Sequence, residues 1–176
     1  MNYFDFYKLP ESFLPDTAAL KRQYYAYSRE YHPDFHANAP AEHQAEILRL
    51  ATLNTDAYRT LSDPDSRMAY ILQSHGLLEE GKQDLPSDFL MEMMELNEQL
   101  MELEFAPDGA TLRRVEAEVN TLTEVLDAGI EPVLAGYETL PVDKQPQALK
   151  QVRTYYLKKR YLLRIRESLA KFAPRS

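Results

Sequence analysis

With 176 residues, 44% of them hydrophobic and 27% charged, the chain has the composition of one large globular domain or two small ones, which excludes wholesale disorder. It contains no cysteine, so disulfides, thiolate zinc or iron–sulfur sites and cysteine nucleophiles cannot be built from its own side chains. The net charge of −8 is unevenly spread: residues 1–75 carry 7 basic and 10 acidic side chains, residues 76–108 carry 1 and 10, and residues 109–176 carry 12 and 8. Such a division predicts pairing of the acidic middle with the basic C-terminal segment inside a helical bundle. The opening "MNYFDFYKLP" has neither the basic start nor the apolar run of a signal peptide. No stretch approaches the ~18–20 apolar residues of a membrane span. A soluble, cytoplasmic protein without a membrane role is expected.

In chain order, nearly every periodic segment is helical. Asp16 is placed to cap a helix reaching about Tyr31, with Leu20, Tyr24, Tyr27 and Tyr31 on one face. Arg22 and Arg29, with Tyr25 between them, form a different stripe leading towards His32. Pro33 stops the helix, because a residue before proline is pushed out of the α region. "FHANAPAE" reads as a loop, and a second long helix follows from about Ala41 to Thr60, with Ile47, Leu50, Ala51, Asn54, Ala57, Tyr58 and Leu61 at three-to-four spacing. Asn54 stands among apolar positions, so its amide should be bonded near residues 61–70. Asp63 as N-cap and Pro64 at the first helical position open a short helix carrying Arg67 and Tyr70.

Two glycines and a proline mark a linker at 76–86. Helices are then expected over 87–105, 110–136 and 146–172, forming an antiparallel three-helix bundle over 87–173. On the middle helix, Leu112, Val115, Val119, Leu122, Leu126 and Val133 form the seam; on the last, Tyr155, Leu162, Ile165, Leu169 and Phe172 do so. The fold class read from this pattern is all-α.

Three roles compete for His32-Pro33-Asp34: a metal or acid–base site, a helix stop, or a docking tip. His32 and His36 could chelate only on a continuous helix, which Pro33 interrupts, and His43 and His75 are distant in sequence, so no metal site is expected. With five glycines and no G-x-S-x-G, P-loop or dinucleotide fingerprint, the chain offers little backbone to cradle phosphates. Neither catalysis nor a cofactor is expected. As a docking tip, Pro33 fixes a turn from which His32 and Asp34 present a donor and an acceptor beside a positive helix.

The first helix of the bundle, "DFLMEMMELNEQLMELE", carries more apolar surface than one face needs. Phe89, Met93, Leu96, Leu100 and Leu103 suffice for a core. A second stripe (Leu90, Met94, Asn97 and Met101) and a third line (Met91, Glu95, Glu98 and Glu102) read either as a wide core face or as an adaptable methionine-rich contact patch with an acidic rim.

In residues 1–75, the J domain of co-chaperones is resembled through Tyr3, Phe4, Leu9, Pro10, the His-Pro-Asp tip, Ala51, Asn54, Ala57, Tyr58, Leu61 and the Asp-Pro-x-x-Arg-x-x-Tyr of 63–70. One departure is Phe35, where many J domains have lysine or arginine directly after the tripeptide. The basic stripe is also sparse, at Lys21, Arg22 and Arg29. With "FLMEMMELNEQL" opening the bundle, nearly the whole chain resembles the HscB family of co-chaperones of iron–sulfur cluster assembly, in the bacterial form that has no N-terminal zinc segment. The resemblance implies binding of the cluster scaffold IscU, its delivery to the DnaK-type chaperone HscA, and stimulation of that chaperone's ATPase. Chaperone contacts carry over to His32, Pro33, Asp34, Lys21, Arg22 and Arg29. Scaffold contacts carry over to Leu90, Met91, Met94, Glu95, Glu98 and Glu102, with Tyr156 as the aromatic on the last helix.

Two other readings compete with this one. A generic J-domain co-chaperone delivering other clients would have no reason to carry the 90/91/94 apolar set beside an acidic line. Nucleic-acid binding by the last helix, with nine basic residues from Lys150 to Arg175 against Glu167 alone, is opposed by a pI of about 5.1.

Overall fold

A computed structural model describes residues 2–79, 81 and 84–172. Residues 80, 82 and 83 of the expected linker, residue 173 at the expected end of the bundle, and Arg175 lie outside this range. The described residues form seven α-helices and two short 3-10 turns. Two units are present, one comprising Met1–His75 with Tyr137–Thr139, the other Gly76–Gly136 with Leu140–Ser176.

In the first unit, α1 (Tyr3–Tyr7) is closed by a reciprocal capping box between Asn2 and Asp5 and ends at Lys8, whose φ of 56° is left-handed. Asp16 accepts from the amides of Ala18 and Ala19 and so starts α2 (Thr17–Glu30) where the sequence places it. A 3-10 turn over Pro33–His36 joins α2 to α3 (Ala41–Ser62). Asp63 accepts from Ser66 N–H and Pro64 stands at the start of α4 (Pro64–Ser74).

The α2–α3 hairpin is held by Tyr24 stacked on Tyr58, with centroids 4.1 Å apart, and by Asn54, which is buried. The Asn54 amide donates to the Tyr24 carbonyl and to Ser28 Oγ, both at 3.1 Å, and its Oδ1 accepts from the Tyr7 hydroxyl at 2.8 Å. One side chain thus ties together α1, α2 and α3. Its partners are not near 61–70 as expected, because the inward face of α3 at that level meets α1 and α2.

The 61–70 junction is held instead by Arg67, only 5% exposed. Its Nε donates to Phe13 O at 2.9 Å and its NH1 to Leu61 O at 2.8 Å. Tyr70 accepts from Tyr3 N–H at 2.9 Å and stacks on the Tyr3 ring. We expect Arg67→Met to destabilise the chain by about 2–4 kcal/mol, since two buried carbonyls lose their donors. Urea unfolding followed by far-UV circular dichroism measures this.

In the second unit, α5 (Ser87–Phe105), α6 (Gly109–Gly136) and α7 (Gln145–Ala170) are joined by short connections. The fold is therefore a J domain and an antiparallel three-helix bundle. The bundle core is Phe89, Met93, Leu96, Leu100 and Leu103 of α5, Val115 and Val119 of α6, and Leu162, Ile165 and Leu169 of α7. Leu112, Leu122, Leu126 and Phe172 are only partly buried against it. α7 buries more than the expected seam: Ala148, Leu149, Val152 and Leu157 are inside as well.

Within the bundle, Asp127 forms an ion pair with Lys159 at 3.0 Å, both in the C-terminal segment. Asp127 also accepts from the Tyr155 hydroxyl at 2.5 Å. Burial alone would raise the Asp127 pKa, yet these two hydrogen bonds and the Lys159 charge hold it below its ordinary 3.8. A lowered carboxylate pKa stabilises the fold above the unfolded value and loses that contribution as pH falls through the folded one. The thermal midpoints of wild type and Asp127→Asn should therefore differ at pH 7 and converge as the pH is taken below the carboxylate range.

Candidate functional site

Two surfaces carry the sequence-derived site residues, one in each unit. At the tip of the first unit, α2 ends because Tyr31 and His32 close their backbone N–H groups onto Tyr27 O and Arg29 O. His32 then takes an extended conformation (φ −72°, ψ 125°), as the following proline requires. Its Nδ1 accepts from Asp34 N–H at 3.3 Å, which in the neutral ring leaves the proton on the outward Nε2. Asp34 Oδ2 lies 3.7 Å from the same Nδ1, and the His32 and Asp34 side chains are 52% and 87% exposed. A donor and a carboxylate thus stand side by side in water on a turn too short to bend away.

Lys21, Arg22 and Arg29 are exposed along α2, and none of them forms an ion pair among the described residues. Phe35 is 75% exposed, edge-on to the His32 ring at 5.8 Å.

Two residues that the sequence reading set apart support this tip. His36 donates from Nε2 to Glu30 O at 2.8 Å, so its Nδ1 is the acceptor for His43 Nε2 at 3.1 Å. Gln44 adds bonds to Ala37 O and Ala39 O. The loop is thereby tied back to both helices. The separation of seven residues between His36 and His43 was the available signal, but only the turn brings the rings together. No group of three or more metal-ligating side chains occurs among the described residues.

The second surface lies on α5. At 100° per residue, Leu90, Met94, Asn97, Met101 and Phe105 fall within about 80° of arc, flanked by Met91, Glu95, Glu98 and Glu102 in the next ~60°. The core residues occupy the opposite side. Exposure follows this geometry: Leu90 is 41%, Met91 67% and Met94 63% exposed, while Met93 and Leu96 are at most 1%. The wide-core alternative for this stripe therefore fails. Glu95, Glu98 and Glu102 are exposed and form no ion pair among the described residues.

Tyr156 is half-buried on α7 beneath the Arg160 guanidinium. On α7, Tyr161, which was not among the expected site residues, meets α5. Its hydroxyl accepts from Asn97 Nδ2 at 2.9 Å, and its ring meets Phe89 edge-on. Asn97, the one polar residue in the apolar stripe, was the signal.

An exposed His-Pro-Asp turn on a helical hairpin, coupled in one chain to a bundle with an open apolar face, defines an all-helical co-chaperone of the J-domain class. Comparison with known proteins narrows this. A family model described as "HSCB C-terminal oligomerisation domain" matches residues 85–170. The Co-chaperone protein HscB homolog of Neisseria meningitidis is 31% identical over 153 residues, covering 86% of this chain and 90% of the relative. That of Vibrio vulnificus is 33% identical over 156 residues, covering 87% and 88%. Among solved structures, human co-chaperone protein HscB superposes with a TM-score of 0.67 at 28% identity, covering 97% of this chain and 81% of that one. Chaperone HscB from Vibrio cholerae gives 0.63 at 27%, covering 98% and 100%. The chain belongs to the HscB family of co-chaperones. Among the described residues no helix is long and apolar enough to cross a membrane.

Proposed function

We propose that this co-chaperone binds the iron–sulfur cluster scaffold IscU through α5, delivers it to the DnaK-type chaperone HscA, and stimulates that chaperone's ATPase through His32, Pro33 and Asp34. Residues 1–75 serve the chaperone and residues 87–173 serve the scaffold, with 76–86 between them. Lys21, Arg22 and Arg29 steer an acidic chaperone surface towards the tip, where the turn supplies the directional contact. Leu90, Met91 and Met94 supply the apolar anchor for the scaffold; Glu95, Glu98 and Glu102 supply the charge that selects its orientation. Tyr156 supplies an aromatic contact from α7. The protein works in the cytoplasm as a binding partner, without a catalytic centre, a cofactor or nucleic acid of its own.

The observation that carries this reading is the open face of α5: three large apolar side chains in solvent beside three carboxylates that form no ion pair among the described residues. Burying such a set only in a complex is favourable by about 25 cal/mol per Å² of apolar area, and unpaired carboxylates suit a basic partner edge. Calorimetric titration of purified scaffold into the full chain, paired with single-turnover ATP hydrolysis by the chaperone, tests both halves. Absence of scaffold binding, or of any stimulation, rejects the corresponding half.

A further inference from the structure

The Leu90, Met91 and Met94 anchor occupies little more than one turn of α5, about 6 Å of helix. A stable protein–protein interface needs about 800 Å² on each side, drawn from some 20–30 residues. Three side chains do not reach that, so the contact has to extend along a surface of matching character. Exposed apolar residues continue in one direction on this helix. Met101 is 58% exposed and Phe105 87%, the highest among the exposed large apolar side chains of the described residues. Both lie on the arc of Leu90 and Met94. Asn97 between them is bonded to Tyr161, so the stripe is bridged by a satisfied polar group and not by an open one. Met101 and Phe105 also line a cavity of about 550 Å³ with Glu102, Leu103, Ala106 and Thr111, large enough for an inserted side chain. The carboxylate line runs alongside for the whole distance to Glu102.

We infer that the docking face spans the length of α5, with Met101, Phe105 and their cavity forming a second anchor for the same scaffold. This rests on the scaffold-binding reading of α5. The occupant it requires is a folded protein surface with two apolar side chains about 16–22 Å apart, the rise of α5 from Leu90 to Met101 and Phe105. Basic groups between them would lie along the glutamates. An interface confined to Leu90, Met91 and Met94 would leave Met101 and Phe105 in solvent.

The test titrates purified scaffold into full-length wild type, Met101→Ala/Phe105→Ala and Leu90→Ala/Met91→Ala/Met94→Ala, with light scattering of each free protein. The double variant should keep its melting temperature and monomer fraction, and bind about tenfold more weakly, in line with losing one well-packed anchor. Wild-type affinity in the double variant, with binding lost in the triple variant, overturns the second anchor and leaves the first. An altered oligomeric state with unchanged scaffold affinity assigns the patch to a second copy of this chain and likewise overturns the inference. No binding by wild type overturns the reading beneath it, and the second anchor with it.

Discussion

The His32→Gln variant is expected to leave the chaperone's single-turnover ATP hydrolysis at its unstimulated rate while folding and binding scaffold as wild type does. The selectivity of this loss follows from where the side chain stands. His32 is exposed and packs in no core, so its replacement opens no cavity. Glutamine can offer an amide donor, but it lacks the ring whose Nδ1 takes the Asp34 N–H. The turn would then lose the bond that orients donor and carboxylate together, as well as the Nε2 donor. Asp34→Asn should give the same loss by removing the charge alone. Far-UV circular dichroism and scaffold affinity serve as controls. Stimulation by the His32 variant equal to that of wild type would show that the tip is not the contact.

The second large effect separates docking surface from core on a single helix. Leu90→Ala/Met91→Ala/Met94→Ala should reduce scaffold affinity by on the order of 100-fold, since a compact apolar anchor contributes most of the energy of its interface. Its denaturation midpoint should stay near that of wild type, because these side chains already stand in solvent. Leu96→Ala, a few residues along the same helix, should do the reverse. Leu96 is fully buried, and its truncation should cost about 2–5 kcal/mol through lost burial and the cavity left behind. Basal stimulation through the tip should survive in the triple variant, while the extra stimulation brought by scaffold should disappear. A collapse of stability in the triple variant would place these residues in the core.

What the sequence by itself determined is what depends on neighbours within about four residues. Asp16 and Asp63 cap where they were read because a cap bonds to amides two or three positions on. Pro33 and Pro64 set boundaries through their own rings. The division of α5 into core, apolar and acidic lines needed only the helical step and side-chain type, since a helix turns by the same angle wherever it lies. Contacts set by how helices meet were decided by the tertiary structure. Asn54 was legible as a buried amide, but its partners on α1 and α2 lie 26 to 47 residues away, and nothing within its own helix names them. His36 and His43 meet because the 3-10 turn folds the loop back. Tyr161, not a neighbour in sequence, closes the gap in the apolar stripe at Asn97. Charge totals suggested that the acidic and basic segments neutralise each other, yet a total has no direction. α5 turns Glu95, Glu98 and Glu102 to solvent while Asp127 of α6 pairs with Lys159 of α7, because helix rotation is set by burying Phe89, Met93, Leu96, Leu100 and Leu103. That burial is worth far more than surface ion pairs of about 0–1 kcal/mol each, so the apolar seam decides where the carboxylates face.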